Sequence, residues 1–240
     1  VADAKRIIAS DSEVENQYRR LIKRENANFE IRIKALLNYA NYLFAQKGQT
    51  TKTLKLFDDY WHWFNRSAEF IIMQSRYYWA EGSPESKSRA IEILSIYLTT
   101  KPKITEEIYL EILGTLMTYS GISLVSQREE LKAKNRFGEI KQTNYDRINS
   151  KQRQRFNELY KYPGLRLYKT VEKRNLMEFS PKCRNFILDG LTHFTEVAIR
   201  CNKRSTARNV CDKIINELPP DYHKPFVHKL RKLDYIEGFH

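Results

Sequence analysis

The chain has 240 residues, enough to bury a substantial core without disulfides or a structural metal. With 41% hydrophobic, 12% aromatic and 30% charged residues, and only 8 Gly and 7 Pro, its composition excludes a chain dominated by disorder and suits an ordered, largely helical protein. A net charge of +13, from 42 Lys and Arg against 29 Asp and Glu, favours anionic partners and leaves nucleic acid, an acidic protein surface and anionic lipid all open.

In chain order, "SEVENQYRRLIKRE" places Val14, Tyr18, Leu21 and Ile22 on one helical face. "FEIRIKALLNYANYLFAQKG" does the same with Ile33, Leu36, Leu37, Ala40, Leu43 and Phe44, and stops at Gly48. A helix then resumes through Leu54, Phe57, Tyr60, Trp61 and Phe64. The next pair is "EFIIMQSRYYWAEG", ending at Gly82, and "SKSRAIEILSIYLTTKP", ending at Pro102. Thr105 with Glu106 and Glu107 opens a long apolar run as a capping box, with Gly114 and Gly121 as expected breaks. A further helix over "SKQRQRFNELYKY" should end at Pro163-Gly164, and "YPGLRLYKTVEKRNLMEFSPKC" reads as a connection punctuated by Pro163, Gly164 and Pro181. A last hairpin follows in "NFILDGLTHFTEVAIRCNKRSTARNVCDKIINELPP". Period-two alternation is nowhere sustained.

Gly48 and Gly82 lie 34 residues apart, and Ala90 to Pro102 and Ala207 to Pro219 are both steps of 12. Asn202, which tolerates the left-handed conformation, takes the place of the turn glycine in the last hairpin. In these small, turn and proline positions the segments resemble the tetratricopeptide repeat family. Thr53 replaces the small alanine of the first unit, the second has extra turn residues "SPES", and Asn41, Ser75 and Thr195 stand at the small position of the first helices. The resemblance implies an all-α solenoid of antiparallel helical hairpins. Residues 1–103 would carry N-terminal hairpins with units at about 34–67 and 68–102, residues 104–180 an irregular basic helical segment, and residues 181–240 a last hairpin and terminal helix.

The function it implies is a non-catalytic protein-interaction or scaffold module, whose partner is a protein or another domain of a longer chain. Asn41, Arg76, Tyr77 and Glu196 are expected on the exposed faces of the inner helices, and Trp63 with His62 in "YWHWF" could anchor a partner peptide. The chain begins at Val1, which allows it to be the sensor or assembly part of a signalling or defence protein with an enzyme upstream. The alternative is binding of single-stranded nucleic acid. Between 127 and 176 fourteen Lys and Arg face six acids. There Arg153, Arg155, Arg166, Lys169, Lys173 and Arg174 would neutralise phosphates while Tyr162 and Tyr168 stack on bases. The same pattern also fits a solvated face whose aromatics point into a core.

No phosphate-binding loop, dinucleotide fingerprint, zinc-protease helix or nucleophile elbow is present, so neither an active site nor a cofactor is expected. His193, His223, His228 and His240 lack a metal-ligand spacing. Cys183, Cys201 and Cys211 fit neither a disulfide framework nor a paired-cysteine metal site, and the apolar runs look too short or too polar to span a bilayer. A reduced, cytoplasmic setting is the simplest expectation.

Overall fold

A computed structural model of the chain describes residues 11–237. His240, one of the histidines considered above, lies outside them. Every regular element is helical, and no strand occurs among the described residues. The chain divides into two compact units between Ile93 and Leu94.

In the first unit, α1 (Asp11–Lys23) and α2 (Phe29–Asn41) form an antiparallel pair. Tyr18 stacks on Tyr39 with ring centroids 5.4 Å apart, the Tyr39 hydroxyl donates to Glu15 at 3.0 Å, and Arg32 Nε donates to the Ile22 carbonyl at 2.8 Å. The α2 helix ends in a π-turn, Tyr42–Gln46, and α3 (Thr50–Phe64) follows after Gly48 at φ +62°. Ser67 caps α4 (Ala68–Glu81) by accepting from the Phe70 amide. Gly82, at φ +93°, ends α4 ahead of α5 (Pro84–Thr99). Phe57 and Phe64 of α3 pack on Phe70 of α4 at 5.1 and 5.9 Å.

The second unit is organised by α6 (Glu106–Arg136), a helix of 31 residues that begins at the Thr105 cap, whose hydroxyl accepts from the Ile108 amide. Gly114 and Gly121, expected as breaks, lie inside it. They are there because α9 (Pro181–Arg200) crosses close by: a Cβ on Gly190 would stand 2.9 Å from the Gly114 Cα, and one on Gly121 would stand 2.9 Å from the His193 Cβ. Proximity between helices outweighs the roughly 1 kcal/mol cost of glycine in a helix. Around this crossing Ile112, Leu113, Met117, Ile187, Leu191 and Phe194 are fully buried, each stabilising the unit by about 1.5–3 kcal/mol. By length and composition α6 could cross a membrane, contrary to the sequence expectation, with 56% of its most apolar window buried in this packing.

The two helices run parallel. Glu107 accepts from Ser180 at 2.8 and 2.9 Å, Lys182 pairs with Glu111 at 3.0 Å, and Arg200 pairs with Glu129 at 3.3 Å. Residues 104–180 and 181–240 therefore share one core. After α6 the chain returns as α7 (Gln142–Leu159), which passes through a π-turn at Tyr160–Leu165 with non-helical backbone at Tyr162. It does not stay irregular after the proline. A short α8 (Arg166–Val171) forms where a connection was expected, because Leu167, Tyr168 and Val171 all find cover. Arg184, itself 8% exposed, then ties down the link to α9 by donating to the carbonyls of Leu176, Met177 and Phe179 at 3.0–3.2 Å.

Asn202, at φ +58°, makes the turn from α9 into α10 (Arg204–Glu217), which ends before Pro219, and α11 (Lys224–Glu237) closes the described chain. The α11 helix follows the direction of α9, with Lys229 and Lys232 reaching Glu196 and Leu233 packing with Ala198.

Candidate functional site

The residues expected to meet a protein partner do not share one exposed surface. Tyr77 is 6% exposed and sits between Phe44 and Phe57, with ring centroids at 4.9 and 5.5 Å; it belongs to the core, and burial pushes its hydroxyl pKa up. Glu196 is not on a free face either: its side chain, 17% exposed, holds Arg200 at 2.8 Å, Lys232 at 3.3 Å and Lys229 at 3.4 Å. Arg76 is half-buried with Nη1 against the Met73 sulfur at 3.8 Å, whereas Asn41 is exposed. Trp63 is 36% exposed, with the Arg32 guanidinium 4.9 Å from its ring and the exposed His62 at its edge.

The basic segment separates into two regions. Toward the start of α6, Arg166 Nε donates to the Tyr109 hydroxyl at 3.1 Å, Lys169 pairs with Glu172 at 2.8 Å, and Arg174 pairs with Glu106 at 2.9 Å. Tyr168 is 5% exposed and stacked on Phe194 at 6.1 Å, so its ring has no face left for a base. Burial first, and then Glu172, push its pKa up to about 12. Tyr162, 43% exposed, and the exposed Lys173 keep open surfaces here.

The second region lies toward the other end of α6, roughly 30 Å away along that helix at 1.5 Å per residue. There α7 runs antiparallel to α6, with the Arg128 guanidinium 5.4 Å from the Phe156 ring. Arg200 of α9 lies over the same ring at 5.7 Å. Arg147, Lys151 and Arg155 occupy i, i+4 and i+8 on α7, so they form one stripe about 6 Å apart along the helix. All three are exposed, and none makes an ion pair among the described residues; the same holds for Arg153, on another face.

Beside this stripe a groove of about 390 Å³ opens between α6 and α7. Leu131, Ile140 and Ile148 give it apolar walls, and Lys134, Lys151 and Arg155 a basic rim; Lys134 is held by Glu130 at 2.6 Å. Gln152 also lines it, 6% exposed, with a buried carbonyl oxygen that has no hydrogen-bond partner among the described residues. Phe137, 72% exposed, stands at the tip of the same hairpin.

Phe137, Arg147, Lys151 and Gln152 were not picked out as site residues from the sequence. The stripe was available as a repeat of four, whereas nothing in the spacing shows that Gln152 lacks a partner. No group of three or more His, Cys, Asp or Glu side chains placed to hold a metal occurs among the described residues. Comparison with family models, with curated proteins and with solved structures returns no match for this chain.

Proposed function

We propose that the chain is a non-catalytic binding module, a tetratricopeptide-like solenoid of helical hairpins that binds single-stranded nucleic acid along α7. The parallel course of α6, α9 and α11 supports the solenoid, since stacked hairpins align their first helices in this way. Left-handed turns at Gly48, Gly82 and Asn202 support it too.

The observation that carries the nucleic-acid reading is the unpaired stripe of Arg147, Lys151 and Arg155. Like charges at i, i+4 destabilise a helix by about 0.2–0.5 kcal/mol per pair, and a polyanion relieves that repulsion. Exposed Phe137 adds a stacking surface at the hairpin tip.

The test is fluorescence anisotropy with labelled single-stranded RNA and DNA at low and near-physiological salt. Binding in the micromolar range or tighter is expected at both. Replacing Arg147, Lys151 and Arg155 together by Glu should abolish it with helical content unchanged. Binding that disappears with modest salt, or persists in the triple variant, would overturn the assignment.

A protein partner is the second reading. It is favoured by Phe29 and Trp63, 47% and 36% exposed, which both adjoin the buried ring of Phe64. A partner retained by the wild type and lost on Trp63→Ala would establish it.

A further inference from the structure

The first unit has a cationic face of its own, which packing within the unit does not explain. Arg19, Arg20 and Lys23 of α1, with Asn16 a turn earlier and Arg24 just past the helix end, line an open hollow of about 490 Å³. All five are exposed, and no acidic or apolar side chain lines the hollow among the described residues. None of the four cations makes an ion pair there, and Glu15 of the same helix is turned to the Tyr39 hydroxyl instead. Arg19 and Lys23 stand at i, i+4, as do Arg20 and Arg24, so the face repels itself. The helix dipole favours cations in the last turn, which accounts for Arg20 and Lys23 but not for adding Arg19 and Arg24.

The face is also held in place, and an exposed aromatic ring is held beside it. The Tyr18–Tyr39 stack fixes α1 on α2, and the Arg19 guanidinium lies over the Tyr39 ring at 5.7 Å. Arg32, whose Nε donates to the Ile22 carbonyl near the end of α1, carries its guanidinium 4.9 Å from the Trp63 ring. On another side Trp63 is 5.4 Å from the ring of Tyr60, which is within electrostatic reach of Arg19. Trp63 keeps 36% of its surface open.

We infer that this face is a second contact for the nucleic-acid strand, in which Arg19, Arg20, Lys23 and Arg24 neutralise phosphates, Asn16 donates to a phosphate oxygen and Trp63 takes a base. The inference rests on the strand-binding reading of α7 and adds where the first unit meets the strand. Phosphate contacts need cations and amide donors and no apolar centre, which is what lines the hollow, whereas a protein interface is built around an apolar core. Three of the four cations are arginines, whose planar fork matches two phosphate oxygens. The cations recur at about 6 Å along the helix, an interval comparable to that between phosphates of an extended strand. A cationic track beside an exposed aromatic ring is the general form of single-strand binding. Alone, four cations hold a strand too weakly to replace α7. Once α7 has bound, the remainder of a long strand is present at a raised effective concentration, and the second face engages it.

The experiment uses the full chain and a labelled 40-nucleotide oligouridine, titrated by anisotropy at four or five salt concentrations. Arg20→Ala combined with Lys23→Ala should lower the slope of log affinity against log salt by about 1.4, at roughly 0.7 per phosphate contact. Lys52→Ala with Lys55→Ala removes the same charge at the same spacing near the start of α3, away from Trp63 at its end, and should leave the slope unchanged. Alanine is the best helix former, so both variants should retain their helical content. The strand should also quench tryptophan fluorescence, and Trp63→Phe should remove that quenching although Trp61 and Trp79 remain. A slope unchanged by Arg20→Ala with Lys23→Ala, a slope lowered equally by the lysine control, or quenching that is absent or survives Trp63→Phe would each overturn the second contact while leaving α7 standing. Failure of the wild type to bind the 40-mer would overturn strand binding and the second contact with it. Phosphatidylserine vesicles form the last arm: sedimentation with them that is lost on Arg20→Ala with Lys23→Ala, at an unchanged strand slope, would overturn the inference and assign the face to anionic lipid.

Discussion

Gly190 of α9 faces Gly114 of α6 so closely that a Cβ on Gly190 would lie 2.9 Å from the Gly114 Cα. Each glycine is the space that the other helix occupies, and the backbone of Phe186 closes the site beside them. Gly190→Ala or Gly114→Ala should therefore force α6 and α9 apart and cost about 1–3 kcal/mol, despite alanine's better helix propensity. The double variant should cost less than the sum, since the first substitution already opens the crossing. Gly48→Ala is the control: nothing stands within 4 Å of its Cβ, so only the left-handed backbone at φ +62° is penalised, by about 1–2 kcal/mol. Urea midpoints at constant m-value would check all four variants.

Acid should weaken the second unit in two windows. Burial pushes the Glu196 carboxyl up, but Lys229, Lys232 and Arg200 together outweigh it and bring its pKa down to about 2. Burial, then Lys229, also lower His193 below the ordinary 6.5, against an opposing pull from Glu196. Both folded values lie below the unfolded ones, so the stability they confer is present above the unfolded pKa and is lost as pH falls. Lys229 is itself lowered by burial, since it has one carboxylate to offset its desolvation whereas Glu196 has three cations. Unfolding measured from pH 7 to pH 2 should show a decline below about pH 6.5 and a steeper one below about pH 4.5. Glu196→Gln should flatten the lower window and, at neutral pH, cost about 3 kcal/mol.

The two halves of the basic segment should differ in their response to charge removal. Arg147→Ala, Lys151→Ala and Arg155→Ala combined should reduce the slope of log affinity against log salt by about 2, at roughly 0.7 per phosphate contact on a single strand. Arg166→Ala and Arg174→Ala remove cations already committed to Tyr109 and Glu106, and should leave that slope unchanged. The same anisotropy titrations, at four or five salt concentrations, decide the matter.

Arg184 is a structural anchor rather than a surface cation. Its guanidinium donates to the carbonyls of Leu176, Met177 and Phe179, and no ammonium can span that fork. Arg184→Lys should cost about 2–3 kcal/mol, and Arg184→Leu more, because three carbonyls lose their donor. Amide exchange in residues 176–180 should accelerate well before global unfolding, which would locate the loss.

Much of the local structure was legible in the sequence because it depends on neighbours within a few residues. Apolar steps of three and four marked the helices, Thr105 marked a start, and Gly48, Gly82 and Asn202 marked turns that do adopt positive φ. Thr53, Ala90 and Ala207, read at equivalent positions after those turns, are all completely buried. Ser75 and Thr195, at the small position of the first helices, are buried too, with hydroxyls donating to Ile72 and Leu191 in their own helices.

Tertiary structure decided what covers each face, and with it the candidate site. Gly114 and Gly121 read as breaks until α9, some 70 residues on, supplied the reason for them. Tyr77 and Tyr168 read as available rings, and their burial depends on Phe44, Phe57 and Phe194 arriving from other helices. The charge run looked continuous because sequence spacing counts cations without showing their partners; Glu106 and Tyr109 claim part of it, while Arg147, Lys151 and Arg155 remain unpaired. Helical periodicity fixes which residues share a side of one helix through a geometry of 3.6 residues per turn. It carries no information about long-range pairing, which is settled only when distant helices compete for the same buried surface.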